Sequence, residues 1–74
     1  MPVWYKQTPT GRELRIELGL DRHGRDLWLI KVEGGPAEVE DVSLPRALAQ
    51  AVQADPTDIW LREIAGAIEG ERRR

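Results

Sequence analysis

The chain contains no cysteine, and its 74 residues include one histidine, His23. Disulfides are therefore excluded as a source of stability, and a zinc site made of thiolate and imidazole ligands is not expected. A chain of this length forms one domain with a modest hydrophobic core. Small domains often gain stability by associating, so we expect a protein partner, most simply a second copy in a homo-oligomer.

Long apolar runs and phenylalanine are absent as well. No stretch approaches the ~20 apolar residues of a membrane span, and no signal-peptide pattern opens the chain. The chain has no cysteine, so no disulfide indicates an oxidising compartment. We therefore expect a soluble cytoplasmic protein without membrane contact. The sequence has three tryptophans, Trp4, Trp28 and Trp60, and we expect their side chains to provide much of the buried aromatic surface.

Groups suited to catalysis are scarce. The only serine, Ser43, stands where a helix start needs a capping oxygen, so we interpret it as an N-cap rather than a nucleophile. His23 precedes Gly24 in a turn, where an imidazole is usually solvated. The stretch 34–36 lacks the spacing of a phosphate-binding loop. We therefore expect no enzyme activity and no cofactor, and we predict no catalytic, cofactor-binding or metal-binding residue.

Charge is distributed unevenly along the chain, although its net value is only −2. The region 33–58 is acidic and includes the run Glu38, Glu40 and Asp41. This run lacks the glycine and the alternating ligands of an EF-hand loop, so we interpret it as a solvated face rather than a cation site. It also suggests a hypothetical docking surface for a basic partner.

Two segments alternate between apolar and polar residues, which is typical of half-buried strands. A three-residue turn at 22–24 with Gly24 in the left-handed region would join them as a hairpin. This turn predicts a register in which all apolar pairs share one face. The predicted pairs are Leu18 with Trp28, Ile16 with Ile30, and Leu14 with Val32.

An earlier strand over 3–8 precedes the tight turn at 9–11, and its register stays open. One turn geometry places Trp4 on the core face with Val3 and Tyr5 opposite, and the other reverses this. The segment 37–42 is either a short edge strand or extended chain. With either register of the strand over 3–8, some apolar surface falls on the second face of the sheet, beside Leu27 and Leu29.

Two helices are predicted after the strands. Ser43 would cap the first, over about 44–54, whose apolar residues lie on one side. Asp55 would cap the second, over about 56–69, with Pro56 at its first position and Gly70 at its C-terminal cap. The predicted fold class is α+β: a single domain (1–74) with a three- or four-stranded antiparallel β-meander (3–33, with 37–42 as the short strand), two helices on one face and a basic tail at 71–74.

The apolar stripe of the second helix is wide for a surface helix, which suggests that it covers more than the core. Our first hypothesis is therefore a non-enzymatic interaction module, self-associating or a small adaptor. Its predicted interface is either the wide face of the second helix, with Ile59, Trp60, Ile64 and Ile68, or the second face of the sheet, with Leu27, Leu29 and Tyr5.

Three other interpretations stay open. A nucleic-acid-associated regulator would use Arg12, Arg15, Arg22 and Arg25, although interleaved glutamates weaken such a stripe. An inhibitor or antitoxin-like protein would use the acidic segment to bind a basic partner. The consistent local signals would also suit a designed scaffold without an evolved function.

Overall fold

The computed structural model describes residues 2–35, 37–53 and 58–73. They form a four-stranded antiparallel sheet followed by two helices, which confirms the predicted α+β meander. The fourth strand lies in the segment 37–42, where the sequence left the choice open. The elements are β1 (Val3–Gln7), β2 (Glu13–Leu20), β3 (Asp26–Val32), β4 (Val39–Asp41), α1 (Leu44–Ala51) and α2 (Asp58–Arg72), and the strands lie side by side in chain order.

The β2–β3 hairpin has the predicted register. All three predicted apolar pairs face each other across the two strands: Leu14 with Val32, Ile16 with Ile30, and Leu18 with Trp28. Since side chains alternate between the two faces of a strand, these pairs place one apolar row on the same side of the sheet.

The β1–β2 turn and the β2–β3 turn have the same backbone conformation. Gly24 has φ +78, and its N–H donates to the Asp21 carbonyl at 3.0 Å. The β1–β2 turn has the same pattern, with Gly11 at φ +84 and its N–H bonded to the Thr8 carbonyl at 2.9 Å. Both are three-residue loops that end in a left-handed glycine, which fixes the register of each hairpin.

The β1 register resolves the alternative that the sequence left open. Trp4 lies opposite Ile16 on the core face, so Val3 and Tyr5 point to the other side. The Trp4 ring lies 5.9 Å from the Trp28 ring, centroid to centroid, with a tilt of 38°. The two indoles thereby extend the core toward the β1 edge of the sheet.

Both helices pack on the face of the sheet that carries Trp28. Nine buried residues of this core come from β2, β3 and α1, and four come from α2. The apolar side predicted for α1 is confirmed, since its inward positions repeat every three or four residues. The buried core residues are Leu14, Ile16, Trp28, Ile30, Val32, Leu44, Ala47, Leu48, Ala51, Leu61, Ile64, Ala65 and Ile68.

The start of α1 depends on Asp41 rather than on the Ser43 hydroxyl. Ser43 occupies the N-cap position, but its side chain makes no capping hydrogen bond to the described helix, so the predicted hydroxyl cap is wrong. Instead, Asp41 Oδ1 accepts the backbone N–H of Ser43 at 2.9 Å, and Oδ2 accepts Gln50 Nε2 at 2.8 Å. The Ser43 N–H is the main group that lowers the pKa of Asp41 from its ordinary value.

The helix ends differ from the prediction. The α1 helix stops at Ala51 because Gln53 takes a left-handed conformation, φ +51, which closes the last turn. The α2 helix continues through Gly70 to Arg72, so Gly70 is not its C-terminal cap and the predicted basic tail is partly helical. The predicted cap at Asp55 and Pro56 lies outside the described residues.

Contacts from its last turn to the sheet account for the extra length of α2. The Arg72 guanidinium lies 5.4 Å from the centroid of the Trp28 ring and 3.0 Å from Asp26 Oδ2. Lys6 Nζ of β1 lies 3.4 Å from Glu71 Oε1. These long-range contacts hold the turn that follows Gly70 against the core face of the sheet.

Replacing Ile16 by alanine should lower the free energy of unfolding by about 2–5 kcal/mol, because Ile16 is fully buried at the centre of the sheet. Ile59→Ala provides the matched control, since Ile59 is 70% exposed; it should change stability by less than about 0.5 kcal/mol. Urea unfolding followed by tryptophan fluorescence measures both. Equal effects of the two variants would contradict the described core.

Gly24→Ala should destabilise the protein by about 1 kcal/mol, because a left-handed φ strains any residue with a Cβ. Gly66→Ala should stabilise it by about 0.5–1 kcal/mol, since Gly66 lies inside α2 with open space around its Cβ position. Thermal unfolding of both variants tests this difference in sign. A stabilising Gly24→Ala would contradict the turn.

Asp41→Ala should lower stability at neutral pH by about 1–2 kcal/mol, because it removes the hydrogen bonds to the Ser43 N–H before α1 and to the Gln50 side chain within α1. Since the folded-state pKa of Asp41 is lowered, its charge contributes its full stability above the ordinary aspartate pKa of 3.8. The difference from the parent should shrink as pH falls through the folded-state pKa. Glu40→Ala, an exposed neighbour, should show neither effect in the same urea series.

Candidate functional site

The sheet has one face that no described helix covers, and we call it the open face. It carries the odd-numbered positions of β1, β2 and β3, as the registers require. Its apolar residues, Val3, Tyr5, Leu27 and Leu29, are here called the open-face patch. Val3 and Leu29 lie in one row across the sheet, separated by Glu17.

The open-face patch is partly accessible to solvent. Tyr5 is 63% exposed and Val3 is 37% exposed, while Leu27 and Leu29 are half-buried. Gly19 stands opposite Leu27 and offers no side chain to screen it. The patch therefore reaches from β3 to the outer edge of the sheet at β1.

Charged residues fill the other half of the open face. Arg15 lies between Tyr5 and Lys31, and Gln7 pairs with Glu13 in the next row. Arg15 Nη2 binds Glu17 Oε2 at 3.1 Å, which places one ion pair beside the open-face patch. Both signs of charge are present, so this face favours neither a polyanion nor a strongly basic surface.

The residues of α2 that were predicted to form an interface differ in their exposure to solvent. Ile64 and Ile68 are buried in the core, and Trp60 is half-buried against it. Ile59 alone among these four is strongly exposed, at 70%. The wide stripe of α2 is thus mostly accounted for within the protein, and Ile64 and Ile68 offer no surface to a partner.

The four arginines of the nucleic-acid interpretation do not form one surface. Arg12 lies at one end of β2, and Arg22 and Arg25 follow its other end, about 25 Å away for a strand of eight residues. Arg15 is paired with Glu17, and Arg25 Nε donates to Asp21 Oδ2 at 2.9 Å. Nothing in this arrangement makes a continuous basic stripe.

The acidic run does not act as a unit either. Asp41 is bound to Ser43 and Gln50, whereas Glu38 and Glu40 are exposed. Glu40 lies opposite Leu29, so its side chain belongs to the open face. Within the described residues, no group of acidic or histidine side chains has the arrangement of a metal site.

Two shallow depressions lie away from the open face. One, of ≈330 Å³, lies between the Gly34-Gly35 turn and the end of α1, beside Arg12. The other, of ≈250 Å³, lies between α1 and α2, with Leu61 in its wall and Arg46 and Arg62 at its rim. His23 lies in an exposed turn and Ser43 at the start of α1, and neither side chain lines either depression.

Two structural roles escaped the sequence analysis. The sequence shows Asp41 only as part of an acidic run. An aspartate two residues before an N-cap can nevertheless accept the backbone N–H of that residue, as Asp41 does from Ser43. The Arg72–Trp28 contact had no local signal, because 44 residues separate its partners. It required knowledge of how α2 lies on the sheet.

None of the described helices has the length and apolar character that crossing a membrane would require. Comparison of the chain with known protein families, with curated proteins and with solved structures found no match.

Proposed function

We propose that this chain is a non-enzymatic protein–protein interaction module that associates with a second copy of itself. The single observation that carries this proposal is the open-face patch. Its apolar side chains share a sheet face that no described helix covers, with Leu27 and Leu29 on β3 and Val3 and Tyr5 on the outer strand β1.

The size of the protein supports association. Thirteen buried apolar residues make up the core of the described chain, and three of them are alanines. A domain with so small a core and no cysteine gains stability when further apolar surface is covered by another subunit.

The charges of the open face favour a second copy over a partner of one sign. Arg15 and Lys31 are basic, while Glu13, Glu17 and Glu40 are acidic. A second copy brings the same near-balance of charge, so two open faces placed side by side add little net repulsion. A nucleic acid would meet three carboxylates on the same face.

Light scattering of the parent protein over a range of concentrations tests this function. We expect a molar mass that rises toward twice the protomer value. Tyr5→Ser should raise the dimer dissociation constant at least about tenfold, because it removes the most exposed aromatic side chain of the open-face patch. Ile59→Ser, at a similarly exposed apolar position on α2, should leave that constant unchanged.

Two results would contradict the proposal. A parent protein that remains monomeric near 1 mM would contradict self-association, since a dissociation constant of about 1 mM corresponds to a binding free energy of only about 4 kcal/mol. A dimer that Ile59→Ser dissociates while Tyr5→Ser does not would move the interface from the sheet to α2. Far-UV circular dichroism of each variant confirms that it is folded.

A further inference from the structure

The outer edge of β1 carries backbone hydrogen-bonding groups that no described strand binds. The Leu18 N–H donates to the Pro2 carbonyl at 3.1 Å, and the Thr8 N–H donates to the Arg12 carbonyl at 2.9 Å. In an antiparallel ladder the bonded positions alternate, so even-numbered residues of β1 bond to β2. The N–H and C=O groups of Val3, Tyr5 and Gln7 therefore point away from the sheet.

This edge has one of the usual features that hinder strand pairing, an inward-pointing lysine, and lacks a bulge and a proline. The five residues of β1 pair with β2 in continuous register without a bulge, and none is proline. Its one charged residue, Lys6, faces the helix side and lies 3.4 Å from Glu71. The opposite edge is less suitable, because β4 has three residues and two of them are acidic.

We propose, as the form of the self-association argued above, that β1 pairs antiparallel with β1 of a second copy about a two-fold axis at Tyr5. The two four-stranded sheets would then join into one sheet of eight strands. Val3 would pair with Gln7 of the partner subunit, and Tyr5 with the partner's Tyr5.

The hydrogen-bonding pattern selects this register. Centred on Tyr5, three residue pairs each exchange two hydrogen bonds, six in all. A two-fold axis at Trp4 or at Lys6 leaves two such pairs among residues 3–7. The axis at Lys6 also places that ammonium directly opposite the partner's Lys6, which is unfavourable.

The side chains on both faces are compatible with the Tyr5-centred pairing. On the open face, two tyrosines meet at the junction, and each has Arg15 of its own subunit beside it. On the helix face, half-buried Trp4 lies opposite the partner's Lys6, a pairing that permits a cation–π contact. Across the junction between the two β1 strands, no two like charges stand directly opposite each other.

Packing of two open faces against each other is a poorer arrangement. It would bury Arg15, Lys31 and the glutamates of the open face, and charged groups taken out of water are costly unless they are well paired. Edge pairing joins the two open-face patches and leaves these charges in water. An interface built on one strand of five residues is small, so we expect dissociation on dilution.

Disulfide trapping tests the geometry directly, because the parent has no cysteine. In the Tyr5-centred register the two Tyr5 Cα atoms lie about 5.5 Å apart, within the range of a disulfide. Tyr5→Cys should form a covalent dimer under mild oxidation at least about tenfold faster than Ile59→Cys, an exposed position on α2. Equal rates for the two variants would show only random collision and would overturn the proposal.

A proline substitution tests the backbone contribution. Tyr5→Pro removes an N–H that forms no bond within the sheet, so an edge strand should tolerate it, and Tyr5→Val is the matched control that keeps this N–H. We expect a dimer dissociation constant at least about tenfold higher for Tyr5→Pro than for Tyr5→Val. Equal constants for two folded variants would overturn edge pairing, and if Tyr5→Pro fails to fold, the trapping rates decide.

The two proposals fail in different ways. A monomeric parent overturns self-association and edge pairing together. A dimeric parent with no preferential trapping at position 5 overturns edge pairing alone and leaves the proposed function standing, with its interface elsewhere.

Discussion

The register of the β2–β3 hairpin is the constraint on which the rest of the structure depends. It brings Leu14, Ile16 and Leu18 to the same face as their partners on β3. A shift of one residue would place the polar residues of β2 beside the apolar row of β3, so the helices would no longer meet a continuous apolar surface. The turn at Asp21–Gly24 maintains this register locally, through the left-handed glycine and an aspartate whose carboxylate accepts the N–H groups of His23 and Arg25.

Once one face is apolar, charged side chains fasten the remaining elements to it. Asp41 holds the start of α1 at the end of β4, and Arg72 holds the end of α2 over Trp28. Each contact joins a polar group to the rim of the core, where the side chains of Asp41 and Arg72 keep part of their surface accessible to solvent. The helices are thereby confined to one face, which is the physical reason that Tyr5 and Leu29 remain available on the other.

Local patterns predicted the features that short-range physics controls. Strict alternation and one turn were enough for the β2–β3 register, and repeated apolar spacing was enough for the inward side of α1. The β1 register could not be chosen, because apolar residues Val3, Trp4 and Tyr5 occupy both faces of that strand. The interface list mixed Ile59 with Ile64 and Ile68, since the stripe of α2 does not reveal which part of it meets the sheet.

The side-by-side order of the four strands also has a kinetic meaning. Every strand pairs with its neighbour in the chain, so the sheet can form hairpin by hairpin while the polypeptide leaves the ribosome. The helices that cover Trp28 are synthesised after the four strands. For the interval before they dock, the growing sheet presents a naked apolar face as well as a free edge. Lys6, the one charged residue of β1, faces that side, where it discourages stacking of two such intermediates before Glu71 arrives to neutralise it.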